Sequence, residues 1–249
     1  MIVVKSQREI DKISAACRIV AEILEGLKSF IAVDITTADI EAYVDDQIKK
    51  RKAIPAFKGY RGYPAASCTS VNDQVVHGIP SMTVKLKNSD IISIDLGVIL
   101  DGFYGDGALT YPVGTISADA VKLMSVAEKA LYLGIEKATV GNRVSDISAA
   151  IQRHVESNGF SVVRAFVGHG IGRYLHEEPQ IPNYGEAGRG PRLKAGMTLA
   201  IEPMVNAGTS DVHILDDGWT AVTADGRLSA HFEHTIAVTR GAPVILTKL

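Results

Sequence analysis

Two segments of this chain recur at a common spacing, and that recurrence constrains the fold more than any other feature. VDITTADI (33–40) matches VGNRVSDI (140–147), and LKNSDIISID (86–95) matches LKAGMTLAIE (193–202), with three identities in each pair. Both pairs are offset by 107 residues (140 − 33 and 193 − 86). Either match alone carries little weight, but a shared offset implies a duplicated half, approximately 1–115 and 116–249. The duplication lays Asp95 on Glu202, one carboxylate upon another. A shorter echo, VVHGI (75–79) against VGHGI (167–171), lays His77 on His169 at a different spacing, which requires an insertion between them.

Each half reads as two helices followed by strands. Ser6 and Glu9 have capping-box spacing, and Ile10, Ile13, Cys17, Val20, Leu24 and Leu27 recur every three or four residues, so 6–30 is expected as an amphipathic helix. A second helix is expected from Thr36–Asp39 to about Lys52. In the other half, 117–138 and 145–157 have helical periodicity, with Ser117 and Ser145 as candidate N-caps. Strands are expected at 161–167, 197–205, 219–224 and 231–239. No change of composition marks a linker, so 1–249 is expected as a single α+β domain with the site where its halves meet.

Composition removes several function classes. Acidic residues number 28 and basic residues 26 with no basic tract, which argues against a nucleic-acid partner held by bulk charge. The two cysteines, Cys17 and Cys68, offer neither a disulfide framework nor a C-x-x-C metal module and fit a reducing compartment. No apolar run approaches membrane-spanning length and the first residues become charged too early for a secretory signal, so a cytoplasmic location is expected.

The segment DIISIDLGVILDGFYGDGALTYP (90–112) reads as two strands joined at Asp101-Gly102, a strong hairpin dipeptide. Cross-strand partners then sum to 203, so Asp95 faces Ala108 and Asp106 faces Gly97. Because side chains alternate with period two, Asp95 and Asp106 share one face as diagonal neighbours, with Cα atoms about 7–8 Å apart. Glu202 in TLAIEPM and Glu233 in AHFEHTIAV likewise interrupt apolar strand runs. Taken singly, each of the four is best read as a salt-bridged core carboxylate. No matching set of basic residues lies inside these strands, however, so the four together are better explained by a metal cluster, two divalent cations balancing four negative charges.

GHGIGR (168–173) lacks both the glycine spacing and the following helix of a dinucleotide loop, and it has no P-loop lysine. Its glycines are expected to let the backbone turn sharply and bring His169 to the strands as a lone nitrogen ligand. Such a mixed donor set suits Mn²⁺, Fe²⁺ or Co²⁺ at least as well as Zn²⁺.

HGIP (77–80), SIDLG (93–97), YGD (104–106), GHGIGRYLHEEP (168–179), IEPM (201–204) and HFEHT (231–235) together resemble, in order and spacing, the signature segments of type I methionine aminopeptidases, peptidase family M24, in their minimal bacterial form. The resemblance implies the pita-bread fold of creatinases and aminopeptidases, whose internal pseudo-twofold agrees with the 107-residue offset. It implies two metal ions, drawn from Co, Mn, Fe, Ni or Zn, held by Asp95, Asp106, His169, Glu202 and Glu233. Asp95 would chelate one metal, Asp106 and Glu233 would bridge both, and His169 and Glu202 would complete the other. The implied reaction is hydrolytic removal of the initiator methionine from nascent chains when the second residue is small, by attack of a metal-bridging hydroxide on the peptide carbonyl.

By the same resemblance His77 and His176 bind substrate rather than metal. His176 would serve the oxyanion, Glu202 would relay a proton to the leaving nitrogen, and His77 would position the following residue. The methionine pocket would comprise Phe57, Tyr60, Tyr63, Cys68, Leu175 and Trp219, with thioether–aromatic contacts. His154 is expected to be structural, and His213, His231 and His234 have no assigned role. A monomer working near the ribosomal exit tunnel is the implied setting. The chain departs from many members at Val33-Asp34, where they carry Pro-Gly. Two rivals are an X-Pro-cleaving peptidase, which usually carries a further N-terminal domain, and a metal-free binding module, against which the five ligand positions argue.

Overall fold

Helix α1 (Gln7–Phe30) opens on the expected capping box: the Ser6 hydroxyl accepts from the Glu9 N–H, and the Glu9 carboxylate accepts from the Ser6 N–H. The computed structural model describes residues 1–249. After α1 come α2 (Thr37–Lys50), β1 (Ile54–Pro55), β2 (Ser67–Val71), β3 (Gln74–Val76) and the long hairpin β4 (Ile91–Leu100) and β5 (Phe103–Pro112). The second half runs α3 (Ala118–Lys137), α4 (Val144–Ser157), β6 (Ser161–Val162), β7 (Gly168–Gly170), β8 (Glu177–Ile181) and β9 (Thr198–Ile201). It ends with β10 (Met204–Asn206), β11 (Val212–Ile214), β12 (Ala221–Thr223), β13 (Ser229–His231), β14 (Glu233–Ala237) and β15 (Val244–Ile245).

The 107-residue offset holds residue by residue. It carries the end of α1 onto the end of α3, all of α2 onto α4, β1 onto β6, and the isolated bridge Thr36–Lys85 onto Arg143–Arg192. Asp101 and Gly102 are both left-handed, at φ 49° and 76°, as a type I′ hairpin turn requires, and β4–β5 pairs in the predicted register. In the second half the corresponding strands β9 and β14 are separated by residues 202–232, which carry β10 to β13.

The main sheet runs β1-β4-β5-β14-β9-β7-β8, with β2 also on β4 and β15 also on β14. The halves therefore join at β5–β14, where Glu233 pairs with Ala108. One face carries the helices: Ile92, Ile94, Leu96 and Val98 of β4 pack with Ile23, Leu27, Ile40 and Ile48 of α1 and α2. Leu199 and Ile236 pack with Leu123, Leu131, Ile147 and Ile151 of α3 and α4. The alternate positions of β4, among them Asp95, are left for the opposite face.

Several local expectations need correction. Ser145 is not an N-cap: α4 starts at Val144, Asp146 accepts from the Arg143 N–H at 2.7 Å, and the Ser145 hydroxyl instead donates to the Arg189 carbonyl. The repeat explains this, since Arg143 and Asp146 sit where the first half has Thr36 and Asp39. The strand expected over 161–167 stops at Val162, and the runs at 197–205 and 231–239 are each broken into two short strands. Residues 168–170 form strand β7 rather than a sharp turn. A Cβ on Gly168 would lie 2.5 Å from the Ala200 carbonyl oxygen, and one on Gly170 would lie 2.2 Å from that of Glu178. Those glycines serve close backbone approach on both sides of His169.

Asp34 occupies the departing turn with φ 74°, a left-handed conformation, and its repeat counterpart Gly141 has φ 97°. A side chain costs about 1–2 kcal/mol in that region, partly offset by the entropy glycine loses on folding. Asp34→Gly is therefore expected to stabilise the protein by up to about 1 kcal/mol, read as a rise of about 2–4 °C in Tm. A fall in Tm would show that the aspartate side chain stabilises the turn by more than its backbone strain costs.

Candidate functional site

The sheet's helix-free face gathers acids around a small residue. Ala108 of β5 is flanked by Asp95 on β4 and Glu233 on β14, and Asp106 stands two residues along the same strand. The methyl group of Ala108 leaves the space between those carboxylates open. Beyond β14, His234 pairs with Ile201, so Glu202 and Glu233 are the next residues along each strand. His169 pairs with Ala200 across β7–β9, a second small residue that leaves the imidazole room to lean toward the acids.

Ligand atoms of Asp106, His169 and Glu233 lie within 4.8 Å of one another. His169 Nε2 is 3.7 Å from Asp106 Oδ2 and 3.5 Å from Glu202 Oε1. Its Nδ1 lies 2.9 Å from the Gly170 carbonyl oxygen, which can only accept; Nδ1 therefore carries the proton and Nε2 presents its lone pair to the cluster. Asp95 Oδ1, Asp106 Oδ1 and Glu233 Oε1 are buried with no hydrogen-bond partner.

Desolvation dominates the electrostatics. Burial, reinforced by Asp106, pushes the Asp95 carboxyl well up, and burial pushes Asp106 to about 7. Glu202 and Glu233 are raised by burial and by their neighbouring carboxylates. Asp95 and Glu202 keep partial exposure toward the cavity, but the surrounding protein still removes enough water to dominate. Burial, helped by His176, lowers His169 to about 3. Acids that resist ionising beside an imidazole that resists protonation make an unhappy set on their own. Divalent cations relieve all of it, supplying positive charge to the acids and an acceptor for the lone pair. The donor set therefore fits metal ions.

The cluster forms one wall of a cavity of about 330 Å³. Every residue expected of the methionine pocket lines it: Phe57, Tyr60, Tyr63, Cys68, Leu175 and Trp219, together with His77 and His176. Tyr63 meets Trp219 edge-on with ring centroids 5.1 Å apart. His77 stands edge-on to Phe166 at 5.3 Å, and its backbone is left-handed at φ 62°, a strained placement for a side chain of this size. Burial, and then His176, lowers His77 to about 4, so it is neutral near pH 7. Burial and then the Arg61 charge also lower His176. Its Nδ1 lies 2.7 Å from the Tyr60 hydroxyl, and its ring contacts that of His169 at 4.4 Å.

Sequence reasoning missed Val76, Arg61, Ala165, Phe166 and Val167 in this wall. Residues 163–167 read as a strand, and only their loop conformation turns Phe166 inward. His231 was also without a role; its Nε2 is buried, has no hydrogen-bond partner and lies 3.8 Å from Glu202 Oε2. Its position two residues before Glu233 was a usable signal.

The remaining histidines stay apart: His213 is exposed on β11, and His234 faces away and bonds Thr247. His154 sits on α4 but departs from the hydrogen-bonded structural residue expected, because its buried Nε2 has no partner. A larger cavity of about 680 Å³ lies between α1, α3 and the final residues and holds none of the clustered acids. Both cysteines are free and buried.

With this geometry in view, the comparisons agree with one another. The model of metallopeptidase family M24 matches residues 11–240. The methionine aminopeptidase of Clostridium perfringens is 54% identical over 247 residues, 99% of each chain. Methionine aminopeptidase 1 of Bacillus subtilis is 54% identical over 249 residues, the whole of both chains. The crystal structure of the Thermotoga maritima methionine aminopeptidase matches at TM-score 0.99 and 48% identity over the full length of both. The prolidase of Pyrococcus horikoshii matches at TM-score 0.80 over 99% of this chain and 63% of its own; at 22% identity that likeness is one of fold.

Proposed function

Since the chain belongs to metallopeptidase family M24, we propose that it is a metal-dependent aminopeptidase that hydrolyses the N-terminal methionine from peptides and nascent chains, favouring a small second residue. The observation that carries this reading is an apolar, aromatic-lined cavity of about 330 Å³ that ends on buried, unpartnered carboxylates. Such a cavity accepts a thioether side chain and presents the bond beside it to metal-assisted hydrolysis.

Asp95, Asp106, His169, Glu202 and Glu233 would hold two divalent ions, with Mn²⁺, Fe²⁺ and Co²⁺ suited to the single imidazole among oxygens. When bound, the metals supply a nucleophile from water near neutral pH and polarise the scissile carbonyl. The chain's own groups do the rest. Phe57, Tyr60, Tyr63, Cys68, Leu175 and Trp219 enclose the methionine side chain and exclude water. His176 is neutral and its Nδ1 faces the Tyr60 hydroxyl. If Tyr60 donates to Nδ1, the imidazole proton sits on Nε2, the nitrogen left to serve the oxyanion. Glu202 carries a proton to the leaving nitrogen, and His77 crowds and positions the following residue. Ligands come from both half-repeats, so 1–249 acts as one catalytic unit. The setting that fits is a monomer in the cytoplasm near the ribosomal exit tunnel, and the two free cysteines suit a reducing compartment. No helix of the chain is long and apolar enough to cross a membrane.

The test is methionine release from Met-Ala-Ser by chelator-stripped protein resupplied with Mn²⁺ or Co²⁺. Metal-dependent release is expected; no release with any divalent ion, but cleavage of X-Pro peptides, would overturn the methionine specificity. A second expectation concerns the tautomer. Tyr60→Phe should lower kcat about ten-fold, less than the roughly hundred-fold or more lost when an oxyanion donor itself is removed, because His176 stays in place, with KM little changed. An effect confined to KM would make Tyr60 a pocket wall only.

A further inference from the structure

Residues 172–176, between β7 and β8, carry Leu175 and His176 into the cavity, yet little of the sheet's hydrogen bonding holds them. Besides the Tyr104 N–H to Gly172 O bond and the Tyr60–His176 contact, one side chain ties the turn from beneath. Glu177 Oε1 accepts the backbone N–H of Arg173 at 2.8 Å and of Tyr174 at 3.2 Å. Its Oε2 accepts from Lys5 Nζ at 2.6 Å, and the two side chains are only 3% and 9% exposed. Lys5 is itself fixed: its backbone N–H donates to Gly196 O at 2.7 Å, and Nζ also reaches Val3 O at 3.3 Å. The pair fills the space under the loop, since a Cβ on Gly172 would lie 2.6 Å from Lys5 Cε and 2.7 Å from Glu177 Oε1. Residues 172 apart in sequence are thus joined by a buried ion pair that ties the N-terminal segment to this turn. A buried pair of this kind adds little net stability over an apolar filling, which points to geometry as its use.

We propose that Lys5 and Glu177 are positioning residues that hold the 172–176 loop so that His176 meets the developing oxyanion. This rests on the reading of His176 given above. Neither residue lines the cavity; Glu177 acts through the loop backbone, and Lys5 acts through Glu177.

The experiment uses the full-length, metal-reconstituted chain and Met-Ala-Ser, measuring kcat and KM separately. Variants are Glu177→Gln, Lys5→Met and Gly172→Ala; the last keeps both charges but drives a methyl group against the pair. Each is made alone and on a His176→Ala background, with the folded fraction read by circular dichroism. Each single variant is expected to lower kcat per folded molecule by about ten- to a hundred-fold, the scale of a misplaced catalytic group, with KM within about two-fold. On the His176→Ala background the same substitutions should change kcat by less than about two-fold, because the group they position is gone. Lys5→Arg should recover part of the activity lost in Lys5→Met.

Losses that multiply fully on the His176→Ala background would overturn the inference and leave the reading of His176 standing. So would an unchanged kcat per folded molecule in the single variants. A His176→Ala enzyme with normal kcat would overturn the reading of His176 and the inference with it. Should Lys5→Met fail to fold, Glu177→Gln and Gly172→Ala decide the question alone.

Discussion

Replacing Asp106 by asparagine should abolish methionine release while leaving the fold and the metal-free stability intact. Asp106 supplies an unpartnered buried oxygen to the cluster and stands within 3.7 Å of His169. An amide of the same shape keeps the packing but loses the charge that would hold a cation. Even residues that only orient a metal ligand typically cost 10–100-fold when removed, so loss of a carboxylate that would hold metal directly is expected to lower kcat/KM by at least about a thousand-fold. Stability moves the other way from intuition. The wild-type cluster forces several carboxyls together without a basic partner, so removing one ionisable group relieves repulsion rather than breaking a salt bridge. The metal-free variant should therefore melt at or above the metal-free wild type, while the rise in Tm on adding Mn²⁺ or Co²⁺ should shrink. Calorimetric metal titration, turnover and circular dichroism check the three parts. Unchanged activity in the variant would sink the two-metal reading.

Metal-free protein should lose stability as pH rises above neutrality, and bound metal should remove that loss. Burial and mutual repulsion raise the carboxyls of Asp95, Glu202 and Glu233, and burial raises Asp106 to about 7. In the unfolded chain these groups titrate near 4. The folded state thus keeps protons that the unfolded state has released. The contribution of these carboxyls is fully present below about pH 4 and is lost as pH rises through the folded values. The buried imidazoles act in the opposite sense. Burial lowers His77 to about 4 and His169 and His231 to about 3. Their contribution is complete above about pH 6.5, the unfolded value, and is lost as pH falls toward the folded ones.

Just above about pH 6.5 the imidazoles add no slope and the buried thiols of Cys17 and Cys68, raised by burial, do not yet add theirs, so the carboxyls decide. The Tm of stripped protein should fall between about pH 6.5 and about pH 7.5, by about 2–4 °C for each kcal/mol lost. With metal present the acids are held ionised in the fold, so the same scan should be flatter and higher. A stripped protein with no slope in that window would mean that the acids are solvated and do not share one dry site.

How much of this could be read without coordinates differs from residue to residue. Asp95 and Asp106 were assigned to one face by the Asp101-Gly102 turn and strand alternation, and β4–β5 has that register. The α-helices were legible because their apolar periodicity is local and strong, as in Ile13, Cys17, Val20 and Leu24, all buried. Strands of two to five residues such as β1, β7 and β8 were not, since so short a run carries no periodicity. Phe166 escaped because nothing in RAFVG separates a strand from a loop whose side chains turn inward.

The sequence by itself determined the repeat, the helix faces, the central hairpin and the inventory of acids and imidazoles. All of these rest on local periodicity, turn chemistry or a countable offset. Only the tertiary structure decided that β14 lies between β5 and β9, which brings Glu233 beside Ala108 and carries Glu202 and His169 to Asp106. Strand order is fixed by backbone hydrogen bonds that nearly every residue can make, so the choice among partners is settled by packing the whole chain. The ion pair of Lys5 with Glu177 belongs to the same class. Two ordinary surface-type residues became a buried clamp because the chain's first strand-less segment crosses beneath a loop 172 residues away.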